Sequence, residues 1–137
     1  MKSINVALIL WNADVIDLMS VVLAQWKLRS RGVEPSQGAR RIEKLIASTD
    51  VSVVVFDLDP PYAQSAAVVL NLIRRFPGKS FVLTCADPIL ALMKAPALMG
   101  RPIFQKPYEP DELAKTVVSM AAGAAENTAA LAAVSGR

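Results

Sequence analysis

Histidine is absent from this 137-residue sequence. That absence excludes Ser-His-Asp and Cys-His nucleophilic catalysis, a histidine metal site and a phosphohistidine carrier. A single cysteine, Cys85, excludes a disulfide framework or a cysteine-rich zinc site within the monomer. Such cysteine usage suggests a reducing, cytoplasmic setting. No stretch looks like a membrane span or an export signal. The longest nearly uncharged run, 51–67, is broken by Asp57, Asp59, Pro60 and Pro61. The apolar start at 4–10 meets Trp11-Asn12-Ala13-Asp14 rather than a small-residue cleavage site, and so short a run reads as a strand.

What is present is a core-forming composition. Apolar residues make up 53% and charged residues 20%, too apolar for disorder. On a prior of roughly 150 residues per domain the expectation is one domain, over residues 1–121, with an Ala-rich helix extension or tail at 122–137. The 15 Lys+Arg against 12 Asp+Glu leave a net charge of +3, which requires neither a nucleic-acid nor a membrane partner.

Short apolar runs alternate with helical patterns, the mark of an α/β domain with a parallel sheet. Ile4 to Leu10, Val51 to Phe56, Phe81 to Thr84 and Pro102 to Gln105 read as strands, and Val33-Glu34 as a very short edge strand. Nearly continuous apolar residues imply burial on both faces. Five helices fall between and after them. The first is opened by Asp14 and Asp17, with Val15, Leu18, Met19, Val22 and Trp26 as its apolar stripe. The second follows Ser36, with Ala39, Ile42, Leu45 and Ile46 set against Arg40, Arg41 and Lys44. The third runs from Ala63 to Phe76. Asp87-Pro88 opens the fourth, which Pro96 must stop or kink. Glu109-Pro110-Asp111 opens the fifth, with Leu113, Val117 and Met120 inward. Strict alternation allows a doubly wound five-stranded parallel sheet of order 2-1-3-4-5. Its functional site then lies outside the carboxyl ends of the strands.

Those ends carry Trp11 and Asn12, then Asp57 to Pro61, then Thr84 and Cys85, then Lys106-Pro107. A carboxylate, a hydroxyl and an ammonium thus converge on one rim. A phosphoryl group placed on the carboxylate would find its donors in lysine and threonine.

At this point the chain resembles the receiver domain of two-component response regulators, a flavodoxin-like, CheY-like fold, over roughly Ile4 to Ala121. Phe56-Asp57-Leu58-Asp59-Pro60-Pro61 is similar to the phosphoacceptor loop, Leu83-Thr84 to the switch hydroxyl, and Gln105-Lys106-Pro107-Tyr108 to the lysine with its Lys-Pro step. The resemblance implies Asp57 as phosphoacceptor, with Lys106 and Thr84 contacting the phosphoryl oxygens. The departures are as specific. Where the family places an acidic pair that holds Mg²⁺, this chain has Trp11 and Asn12, leaving Asp57, Asp59 and Asn12 as a weak metal set. Trp11 reads as a plug at the metal position or as a rim-filling aromatic, and Asp14 as a helix cap. The family's aromatic switch residue is Ile103 here, and Cys85 replaces a small residue.

The expectation is therefore a stand-alone, atypical receiver-like signalling module with degraded phosphorylation chemistry, not an enzyme, with no cofactor or a weakly bound Mg²⁺. Its partners would be a histidine kinase, a phosphotransfer protein or a downstream target. A second copy docking through the face of the fourth helix, fifth strand and fifth helix is the other option. Two alternatives stay open: a conventional regulator switched at Asp57 by a kinase and, more weakly, a small-ligand-binding α/β domain or enzyme.

Overall fold

Along the first strand, Val6 and Leu8 face one side of a sheet and Ala7 and Ile9 the other, and all four are buried. This is the consequence of a parallel sheet covered on both faces. The computed structural model describes the backbone of residues 3–135 and the side chains of residues 3–123. Its elements run β1 (Val6–Ile9), α1 (Ala13–Gln25), β2 (Ser30–Val33), α2 (Ala39–Ile46), β3 (Val53–Asp57), α3 (Tyr62–Arg75), β4 (Ser80–Cys85), α4 (Pro88–Lys94), β5 (Ile103–Gln105) and α5 (Pro110–Ser135). The strand order is β2-β1-β3-β4-β5, all parallel, as the alternation of elements predicts. No helix among the described residues is long and apolar enough to cross a membrane.

Two cores result. Met19, Val22 and Leu23 of α1 and Leu113, Ala114 and Val117 of α5 pack on Val6, Leu8, Val53, Val55 and Val82. On the other face Ile42, Leu45 and Ile46 of α2, with Ala66, Val69 and Leu72 of α3, cover Ala7, Ile9, Val54, Phe56 and Leu83. With apolar area worth roughly 25 cal/mol per Å², these two layers are what set the strand ends in place.

Several local expectations are corrected. Asn12, not Asp14, caps α1: its Oδ1 accepts from the N–H groups of Asp14 and Val15 at 2.8 and 3.3 Å. An amide oxygen one residue before the helix reaches those donors, whereas Asp14 is already in the first turn. The α1 stripe is narrower than its spacing suggests. Leu18 is exposed within the helix, and Trp26 is exposed at the C-cap, where the helix ends at Gln25 and Lys27 turns the chain with φ 63°. The edge strand lies earlier than Val33-Glu34, at Ser30–Val33. After Ser36 the chain makes a 3-10 turn, Pro35–Gln37, and Gly38 at φ 103° leads into α2. α4 does end before Pro96, which opens a second 3-10 turn, Pro96–Leu98.

Candidate functional site

Asp57 is the last residue of β3 and pairs in register with Thr84 of β4. β1 is aligned so that Ile9 meets Phe56, which sets Leu10 level with Asp57 and Trp11 just beyond. On the far side the N–H of Lys106 bonds the Cys85 carbonyl at 2.9 Å, and the N–H of Leu58 bonds the Thr84 carbonyl at 2.7 Å. Strand pairing alone therefore gathers the ends of β1, β3, β4 and β5 around one carboxylate.

That carboxylate is 4% exposed and has three donors. Oδ1 accepts the Thr84 hydroxyl at 3.1 Å and lies 2.5 Å from Nζ of Lys106. Oδ2 accepts the backbone N–H of Trp11 at 3.3 Å. Thr84 is fully buried, while the Lys106 side chain is 39% exposed. The ion pair thus has one buried and one wet end, and its attraction is screened on the lysine side. Asp57, Thr84 and Lys106, separated widely in sequence, meet as the strand ends imply.

The remaining candidates sit differently. Asn12 is exposed, and its carbonyl oxygen is committed to the α1 cap. Asp59 is exposed and contributes its backbone N–H to Ser65 Oγ at 3.1 Å, which pins the loop to α3. Ile103 is partly buried against the α2–α4 core, whereas Phe104 beside it faces α1 and α5. Cys85 is buried. Burial pushes its thiol up from the ordinary value, with the Asp57 and Asp87 charges acting the same way and the Asp87 backbone N–H and Lys106 opposing.

Trp11 and Asp57 are common to the walls of two cavities. One, about 320 Å³, opens toward α1 and α5 and is walled by Val15, Leu18, Lys106 and Tyr108. The other, about 330 Å³, opens toward α2 and α3 and is walled by Ile42, Asp59, Pro61 and Val68. Tyr108 is the residue whose place in the site sequence reasoning missed. It stands edge-on to Phe104, with ring centroids 6.4 Å apart. Burial, with the Asp57 charge adding to it, raises its phenol above the ordinary value. The only signal in the sequence was an aromatic one step past Lys106-Pro107.

The side chains gathered here offer few hard oxygens for a divalent cation. Mg²⁺ asks for several hard oxygens in a near-octahedral set. Among the described residues no three Asp, Glu, His or Cys side chains are grouped for a metal. Asp57 is held by Lys106 and Thr84, and Asn12 is turned to its helix.

No protein-family model matches the chain, and no curated protein sequence does. Solved structures do. A sensor protein from a Polaromonas species aligns at a TM-score of 0.71 and 14% identity, over 90% of this chain and 99% of that one. A response regulator receiver domain protein from Clostridium thermocellum aligns at 0.70 and 12%, over 92% and 99%. A response regulator from Thermotoga maritima aligns at 0.68 and 13%, over 86% and 99%. At such identities the likeness is one of fold, and the fold is that of response regulator receiver domains.

Proposed function

We propose that this chain is a receiver-like signalling module of the two-component type. It acts through protein–protein contacts, and its phosphorylation site has lost the metal-binding half. The observation that carries this reading is the setting of Asp57: a buried carboxylate held by Thr84 and Lys106, to which the end of β1 brings Trp11 and Asn12 instead of carboxylates. Phosphoryl transfer to a carboxylate crowds negative charge, and a bridging metal ion is what neutralises it. Lys106 alone supplies one positive charge. Asp57 then serves as the tie between the ends of β3, β4 and β5, and the chain is not an enzyme.

In this reading the effect passes through a surface. Ile89, Leu90 and Met93 on α4, with Met99 after it, are exposed, an unusual cluster for a solvated helix. The α4–β5–α5 face would dock another signalling protein, a kinase or downstream target, or a second copy of this chain. A second reading, a switch driven by phosphorylation, is favoured by Thr84 standing 3.1 Å from the carboxylate it would report on. Incubation with Mg²⁺ and acetyl phosphate, followed by intact-mass measurement, separates the two. The expected result is no mass gain. A gain of one phosphoryl group, lost in Asp57→Ala, overturns the degraded site in favour of the switch.

A further inference from the structure

A second groove, of about 580 Å³, lies on the opposite edge of the sheet, between β2 and α2, and has no part in the Asp57 site. Arg31, Arg41 and Lys44 line it together with Gly32, Val33 and Leu45. None of the three cations is in an ion pair among the described residues. The carboxylate on α2, Glu43, is turned to Arg75 of α3. The groove is therefore cationic, with Ile4, Val33 and Leu45 as its apolar lining and Gln37 and Ser48 as its neutral polar one.

Its inner wall is a strand edge. Three consecutive residues of β2 line the groove although side chains alternate across a sheet. Gly32 takes part through its backbone, because the side on which a Cβ would stand is filled by Ile16 of α1. The N–H of Val6 bonds the Arg29 carbonyl at 3.0 Å. A parallel ladder engages every second residue of the neighbouring strand, so residues 29, 31 and 33 turn their backbone to β1. The N–H and C=O of Ser30 and Gly32 point outward. β2 pairs on one side only.

We infer that this groove takes an extended acidic peptide from a partner protein, which adds as a strand to β2 and sets its carboxylates against Arg31, Arg41 and Lys44. Backbone bonds at a free edge supply the affinity in such complexes, and alternate side chains supply the choice of partner. Cations on an edge strand discourage pairing with apolar or basic strands, and that same charge selects an acidic one. Nucleic acid is disfavoured because no aromatic residue lines the groove on which a base could stack. A membrane surface is disfavoured because the exposed large apolar residues that would anchor it lie elsewhere, none of them on α2 or β2.

The test uses ¹⁵N-labelled protein and a capped peptide of about ten residues alternating Glu and Val, long enough for one strand, with a Lys/Val peptide as control. Expected are shift changes over residues 30–33 and 41–45, slowed amide exchange at Ser30 and Gly32, and no binding of the control. Charge reversal at Arg41→Glu with Lys44→Glu, both on the exposed side of α2, should weaken binding about tenfold or more. Arg31→Gln, on the strand itself, should weaken it by a smaller factor, and the circular dichroism of each variant should match the parent. The inference is overturned by no binding, by binding indifferent to both variants, or by unchanged exchange at Gly32. Tighter binding of a single-stranded oligonucleotide or of anionic vesicles at the same residues also overturns it.

Discussion

The backbone N–H of Trp11 points at Oδ2 of Asp57 from 3.3 Å, so the end of β1 meets the buried carboxylate as a donor. Where carboxylates at that strand end would share a cation with Asp57, Trp11 supplies a main-chain hydrogen bond, and the residue is 45% exposed. Asp57 is thereby satisfied from three sides by β1, β4 and the loop after β5.

Lys106→Met should then destabilise the fold by about 1–2 kcal/mol. Breaking a fully buried pair costs roughly 3–5 kcal/mol, and the half-exposed lysine reduces that through screening. Lys106→Met combined with Asp57→Asn should recover part of the loss, since no buried charge is left alone. Urea denaturation of the two variants checks this, and an unchanged midpoint for Lys106→Met would show the pair to be energetically idle.

Gly32 packs under α1 so closely that an added Cβ would sit 2.1 Å from Cγ2 of Ile16. Gly32→Ala should cost about 1–3 kcal/mol through overpacking. Adding Ile16→Ala should restore part of the melting temperature lost. Additive losses in the double variant would place the cost in the strand backbone instead.

Alkaline pH should lower stability in two steps. Burial raises the Cys85 thiol from its ordinary 9.0 and the Tyr108 phenol from 10.0. The unfolded chain therefore releases both protons at lower pH than the folded one. The stability from this source is whole below those values and is lost as pH rises through them. Lys79 acts oppositely. Its ammonium donates to the carbonyls of Ser48 and Val51, and burial lowers it from 10.5 against the pull of Asp50. Its proton leaves the folded state first, which adds stability as pH climbs toward 10.5. Urea midpoints from about pH 8 to about pH 11 should show a shallower fall near 9 in Cys85→Ala, and identical curves would refute the assignment.

The α4 surface gives a prediction of a different kind. Ile89 and Met93 are 74% and 72% exposed, so Ile89→Glu and Met93→Glu should each leave the folding stability within about 0.5 kcal/mol of the parent. Each should abolish self-association if a second copy is the partner. Light scattering of parent and variants reads this directly, and a strictly monomeric parent leaves only a different protein as the occupant.

Much of this is legible in the sequence. Ile4 to Leu10 and Val51 to Phe56 are apolar at nearly every position, as a strand buried on both faces requires, and Asp57, Thr84 and Lys106 stand at or just past the ends of the strand runs. β2 is not legible in this way because Ser30-Arg31-Gly32-Val33 has no such pattern. An edge strand is half solvated, and its register comes from pairing with β1. Acidic residues favour a first turn, which points to Asp14 as the cap of α1, yet Asn12 sits where a side-chain oxygen reaches the free N–H groups.

The sequence by itself determined the layer order, the two cores and which residues reach the carboxyl rim, since hydrophobic periodicity and strand ends are properties of local pattern. Only the tertiary structure decided how that rim is used. Trp11 meets Asp57 with its backbone, Asn12 turns away to its helix, and Arg31, Arg41 and Lys44 face one groove beside a free strand edge. Such relations depend on the relative placement of elements far apart in the chain, and hydrogen-bond direction and charge proximity exist only once packing has set that placement.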